Sequence, residues 1–155
     1  MFIRLTAMLT FVLLSLGSFA QEIHLPGLPG SGTSPDLFVQ GYDFPSTVSN
    51  GGWLSFPVVI NNNTEAYTGS SSVRVTLEIG GGRYDFPTAT VPAFSPTNVS
   101  HTVWINYYVD PAWFVIGQPI FLVSIEADYT NTVAESDELN NIFSPTSLVS
   151  TTVVQ

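Results

Sequence analysis

Short apolar runs of period two, cut apart by clusters of Gly, Asn, Pro and Ser, fill this chain from Pro35 onward. A period of two puts successive side chains on opposite faces of an extended strand, so each run dictates one buried and one wet face. Leu54, Phe56, Val58 and Ile60 share a face after the turn Ser49-Asn50-Gly51-Gly52. Val73, Val75, Leu77 and Ile79 share another, with Arg74, Thr76 and Glu78 opposite and Gly80-Gly81-Gly82 ending the run. Val99, His101, Val103, Ile105 and Tyr107 line one face of a long strand, and Trp104 and Tyr108 fall on the other. Phe121, Val123, Ile125 and Ala127 predict a further strand, Asp36–Gln40 a first one and Leu148–Val154 a last. Tyr84–Val91 predicts only a short edge piece, because Pro87 and Pro92 have no N–H to give an interior ladder. Pro57 inside the second long run demands either a strand lying partly at an edge or a bulge. No ten-residue stretch of this region has helical periodicity. Without helices, a sheet with one apolar face can cover it only with a second sheet. The expectation is an all-β, Ig-like Greek-key β-sandwich of about seven strands over residues 35–155.

Two segments precede it. Residues 1–20 pair Arg4 with a short apolar run, Leu5–Leu16, and small residues at Ser18 and Ala20, the pattern of a secretory signal peptide cleaved after Ala20. The run is shorter than the about 20 residues that cross a bilayer, which argues against a transmembrane anchor in the mature chain. Residues 21–34, QEIHLPGLPGSGTS, carry three Gly and two Pro and predict a linker or arm, with His24 a solvated loop residue. The strand-like piece Glu22–Leu25 could also add to a neighbour's sheet edge.

Charge narrows the partners. Three arginines and no lysine stand against 12 acidic residues, a net charge of −9. Such a chain repels phosphate backbones and lacks the basic cluster that holds an anionic membrane, so nucleic acid is excluded as a partner class. With no cysteine there is no disulfide framework, lipid-anchoring cysteine or thiolate metal site. Aromatic residues, at 13%, outnumber charged ones at 10%, which sets the chain apart from disordered acidic tails.

The order of these signals resembles the CARDB family, the "cell adhesion related domain found in bacteria". The likeness rests on the opening Pro35-Asp36-Leu37-Phe38-Val39, on Gly52-Trp53-Leu54 running to Ile60-Asn61-Asn62, and on Val73–Leu77. Its most specific part is the acidic loop ending in Asn140-Asn141, with Asp128, Asn131, Val133, Glu135 and Glu138 in place. The chain departs from the family at Ser95-Pro96-Thr97, where a Pro-Gly turn is usual, and in the aromatic stretch Tyr107–Phe114. The resemblance covers Ser34 to the end and implies an Ig-like sandwich used in extracellular binding or adhesion.

Two groups of residues are candidate contacts. Tyr108, Trp113 and Phe114, around the turn Asp110-Pro111-Ala112, could form an exposed apolar patch that anchors a protein partner or stacks on sugar rings. The alternative is core filling. The loop residues Asp128, Asn131, Glu135, Asp137 and Glu138 offer the oxygen-rich surroundings that suit Ca²⁺. Their spacing is not that of an EF-hand, and short polar side chains that bond their own turn account equally for them. Enzymatic chemistry lacks a Gly-x-Ser-x-Gly elbow, a His-Glu-x-x-His pair or a phosphate loop. Glu135 and Glu138 could act as a glycosidase pair only in a deep cleft, and His101 alternates with apolar neighbours as a sheet residue does.

The sequence therefore predicts a secreted or extracellular non-catalytic module of bacterial type, at the cell surface or in the periplasm. Its expected partner is an extracellular protein or cell-surface component. The competing classes are a carbohydrate-binding module and a self-assembling subunit of a fibre or surface layer, the last built on the linker and the final strand.

Overall fold

The computed structural model describes residues 34–155; the expected signal peptide, the linker before Ser34 and His24 lie outside the described residues. Among the described residues there is no helix, and none that could cross a membrane. Nine strands follow in chain order: β1 (Leu37–Tyr42), β2 (Thr47–Ser49), β3 (Trp53–Asn62), β4 (Ser71–Ile79), β5 (Gly82–Val91), β6 (Ser100–Tyr108), β7 (Pro119–Ala127), β8 (Ile142–Phe143) and β9 (Val149–Val154). One sheet has the order β1-β3-β6, and the other β2-β9-β7-β4-β5, with β8 beside β7. This is the two-sheet partition of an Ig-like Greek key, A-B-E against G-F-C. The two extra strands beyond the expected seven are β2 and β8, of three and two residues, too short to show a period.

The inner faces follow the alternation. Leu54, Phe56, Val58 and Ile60 of β3 are fully buried and meet Val73, Val75 and Leu77 of β4 in one core. Each such side chain contributes about 1.5–3 kcal/mol of burial free energy. The β4–β5 hairpin closes on two residues, Gly80 (φ +59°) and Gly81 (φ +83°), and left-handed backbone at both central positions is what a type I′ turn requires. The departure at Ser95-Pro96-Thr97 is likewise a tight turn, closed by reciprocal Ser95–Asn98 backbone bonds of 3.1 and 2.9 Å.

The prolines sit at the margins of the ladders. The regular ladder of β3 with β1 stops at Val58; one step on, Asp43 N still donates to the Pro57 carbonyl at 3.2 Å, and only the return bond is missing because proline has no N–H. β5 is an edge strand as expected, but it runs ten residues rather than a short piece. Its register against β4 slips between Ala89 and Phe86, which takes Pro87 out of the regular ladder.

One strand departs from its expected phase. Phe121 and Val123 are not the buried residues in the first half of β7; Ile120 and Leu122 are, whereas Ile125 and Ala127 hold their expected inward positions. Thr76 lies opposite Ser124 and Leu77 opposite Leu122, so Val123 is an extra residue, and one extra residue swaps the faces. The last strand pairs with β7 and, in parallel, with β2 of its own chain, and so closes its own sandwich.

Candidate functional site: an uncharged aromatic sheet face

The outward residues of β3 and β6 lie opposite one another in five rows: Trp53–Tyr108, Ser55–Asn106, Pro57–Trp104, Val59–Thr102 and Asn61–Ser100. None is charged. Alternation fixes this face: with Leu54, Phe56, Val103 and Ile105 turned inward, Trp53 and Trp104 have no core to enter. Trp53 is 64% exposed, Trp104 58% and Tyr108 42%. The rings of Trp53 and Tyr108 meet at 5.4 Å with planes 57° apart. Between these rows the Ser55 hydroxyl donates to Asn106 Oδ1 at 2.7 Å. Water-facing sheet positions are ordinarily polar, so three large exposed rings on one face make it a candidate contact surface.

The expected patch of Tyr108, Trp113 and Phe114 does not form as one surface. Tyr108 belongs to the sheet face. Trp113, 80% exposed, stands on the loop after β6. Phe114 is a correction: only 4% of it is exposed, and it packs in the core. Asp110 causes this, because its carbonyl accepts the amides of Trp113 and Phe114 while its Oδ1 accepts Ala112 N, a tight turn that returns Phe114 under the sheets. Phe114 meets Tyr107 edge-on at 6.0 Å. Together with Ile79, Tyr84, Phe86 and Trp113 they line a cleft of about 200 Å³ at this end of the sandwich. Burial, and then the charge of Asp110, raise the Tyr107 phenol above its ordinary value. Trp53, absent from the sequence-based candidates, is turned outward by its position out of phase with Leu54 and Phe56.

The acidic loop gathers at the opposite pole as a clasp. Asp128, buried and in left-handed backbone (φ +43°), accepts Thr132 Oγ1 at 2.8 Å and Val133 N at 2.7 Å. Asn131 (φ +50°) continues that turn, and Asp137 is exposed and accepts Leu139 N. Glu138 accepts Glu135 N at 3.0 Å. Glu135 reaches across the fold, accepting the backbone amide of Leu37 through one oxygen and Asn141 Nδ2 through the other. Burial is the main reason its carboxyl is raised to about 7; its two hydrogen bonds oppose that rise, and the negative charges of Glu138 and Asp128 add to it. Asp36 accepts Asn140 Nδ2 at 2.6 Å and Asn63 Nδ2 at 3.1 Å, and Asn62 Oδ1 accepts Asp36 N at 3.0 Å. The opening Pro35-Asp36-Leu37, the Asn61-Asn62-Asn63 end of β3 and the Glu135…Asn141 loop are thus three parts of one hydrogen-bonded knot. Among the described residues no three His, Cys, Asp or Glu side chains are placed to hold a metal ion.

His101 is half-buried on β6, edge-on to Phe94 at 4.7 Å, with Nε2 3.1 Å from the Ala93 carbonyl. The Glu135–Glu138 pair lies within the clasp and away from the aromatic cleft.

These features coincide with a family match: the CARDB model covers residues 34–145. The chain belongs to the CARDB family. Solved CARDB domains resemble it at the level of the fold. One, from a Pyrococcus furiosus protein in complex with di-metal ions, is 23% identical, with a TM-score of 0.49, covering 78% of this chain and 90% of that one. A second, from a Methanosarcina acetivorans protein described as a cell surface protein, is 20% identical, with a TM-score of 0.47, covering 79% of this chain and 94% of that one. A Listeria innocua β-glucosidase matches at 12% identity and a TM-score of 0.48, over 78% of this chain but 16% of the enzyme. No match among curated proteins reaches significance. Membership in CARDB makes this a domain of a cell-surface-associated, non-enzymatic family.

Proposed function

We propose that this CARDB domain is an exported, non-catalytic binding module that attaches to a partner outside the cell through the outer face of its three-stranded sheet. The observation that carries the reading is the trio Trp53, Trp104 and Tyr108, exposed on a rigid sheet with no charged neighbour on either strand face. Aromatic anchors of this kind dominate the energetics of contact surfaces. The secretory pattern of residues 1–20 supports export, and the acidic balance supports solubility.

The test is attachment of the purified full chain to the surface of the cells that produce it. Trp53→Ala with Trp104→Ala should abolish attachment while leaving the melting temperature within a degree or two. Undiminished attachment by the double variant refutes the reading, and so does retention of the native protein in the cytoplasmic fraction.

A further inference from the structure

We infer that the outer face of the β1-β3-β6 sheet seats a neutral polysaccharide chain, gripped between the Trp53–Tyr108 row and the Trp104–Pro57 row. This rests on the binding-module reading above and names its ligand class. Outward rows repeat every two residues, so the two aromatic rows stand about 13 Å apart along the strands. The Ser55–Asn106 row lies midway between them. The surface thus alternates apolar, polar, apolar over a length that several linked units of an extended polymer would cover.

Sugar rings match this alternation. A pyranose presents an apolar face of C–H groups to an aromatic ring and a rim of hydroxyls to side-chain amides. The middle row is equipped for those hydroxyls. Ser55 spends its proton on Asn106 Oδ1, which leaves the Ser55 lone pairs as acceptors and both Asn106 Nδ2 protons as donors with no partner among the described residues. An apolar protein surface laid across the face would strand those donors. Charge narrows the polymer further. The ten outward side chains of β3 and β6 include no acid and no base, in a chain whose net charge is −9. Nothing on this face would bind an anionic glycan, and the field of the whole chain would repel one.

Affinity electrophoresis of the full chain tests this in gels cast with hydroxyethylcellulose, xyloglucan, galactomannan or mannan, with alginate and polygalacturonate as anionic counterparts. At least one neutral polymer should retard the protein and shift its tryptophan fluorescence. Trp53→Ala and Trp104→Ala should each weaken that binding at least about tenfold, and Asn106→Ala a few-fold. Trp113→Ala, on the loop after β6 and off the sheet face, should leave it unchanged, and all four variants should melt with the wild type. The inference falls if no neutral polymer retards the protein, if retardation survives the two tryptophan variants, or if the anionic polymers bind more tightly. Light scattering adds a separate outcome. A concentration-dependent dimer abolished by Trp104→Ala would make the face a self-interface and overturn the polysaccharide. Cell attachment lost in the tryptophan variants, without any glycan binding, would likewise discard the polysaccharide and retain the binding face.

Discussion

The two outer faces of this sandwich are built from opposite chemistry. On the β4-β7 side, Arg74 pairs with Glu126 and with Asp85 (3.3 Å), lies over the Tyr129 ring at 5.5 Å, and leaves Asp85 to accept Thr76 Oγ1 at 2.7 Å. Arg83 faces Glu78 at 3.6 Å on the adjoining strand. Both arginines among the described residues are therefore committed to one face, and the Glu126 hydrogen bond raises the Arg74 guanidinium above its ordinary value. On the β3-β6 side the outward side chains of both strands carry no charge, and the Trp53 and Tyr108 rings meet each other. A face whose charges are paired internally is complete in water. A face of bare rings gains free energy only when something covers it.

That contrast breaks if the bare rings turn out to hold the fold together. Phe114→Ala should cost about 3–5 kcal/mol, since it empties a buried site, whereas Trp104→Ala should stay within about 0.5 kcal/mol. Urea unfolding monitored by circular dichroism measures both. A Trp104→Ala cost close to that of Phe114→Ala would mean that the sheet face is already packed and not free for a partner.

A carboxylate that meets no arginine sharpens the same point. Glu126 and Asp85 have cationic partners, but Glu135 is half-buried against a backbone amide and an asparagine, beside two other acids. Its folded-state value near 7 lies above its ordinary 4.5, so the folded protein holds this proton more tightly than the unfolded chain. The stabilisation is full below about pH 4.5 and lost as pH rises through 7. With allowance for solvent screening, the loss between pH 5 and 8 should be about 1–2 kcal/mol. Melting curves across that range should fall for the wild type and flatten for Glu135→Gln, whose amide oxygen still accepts Leu37 N. An equal slope in the variant would assign the pH dependence to other groups.

The inner faces of β3, β4 and β6 were legible because their apolar residues alternate strictly, and the same parity exposed Trp104 and Tyr108. The first half of β7 was not, because Ile120-Phe121-Leu122-Val123 is apolar at every position and carries no parity to reveal the extra residue. Phe114 follows a turn, where periodicity has no meaning and only the Asp110 hydrogen bonds decide its direction. The clasp was half legible. The acidic loop stands out as a motif, and its short polar side chains predict bonding to their own turn as readily as to calcium. Its reach to Leu37, 98 residues away, depends on the pairing of both sheets, which no local pattern encodes.

The smallest effects belong to the charged face and test whether its pairs form a network or only decorate it. Arg74 is partly buried and joins two acids and a ring, so Arg74→Ala should cost about 1 kcal/mol, and 0.5 M NaCl should shrink that cost by screening the pairs. Arg83 is mostly exposed, with a single 3.6 Å contact, so Arg83→Ala should cost about 0.3 kcal/mol or less. The double variant separates the cases. Additive costs mean that each arginine acts alone. A coupling between them would mean that the β4–β5 hairpin transmits order from Arg74 to Arg83, making the charged face a single rigid unit.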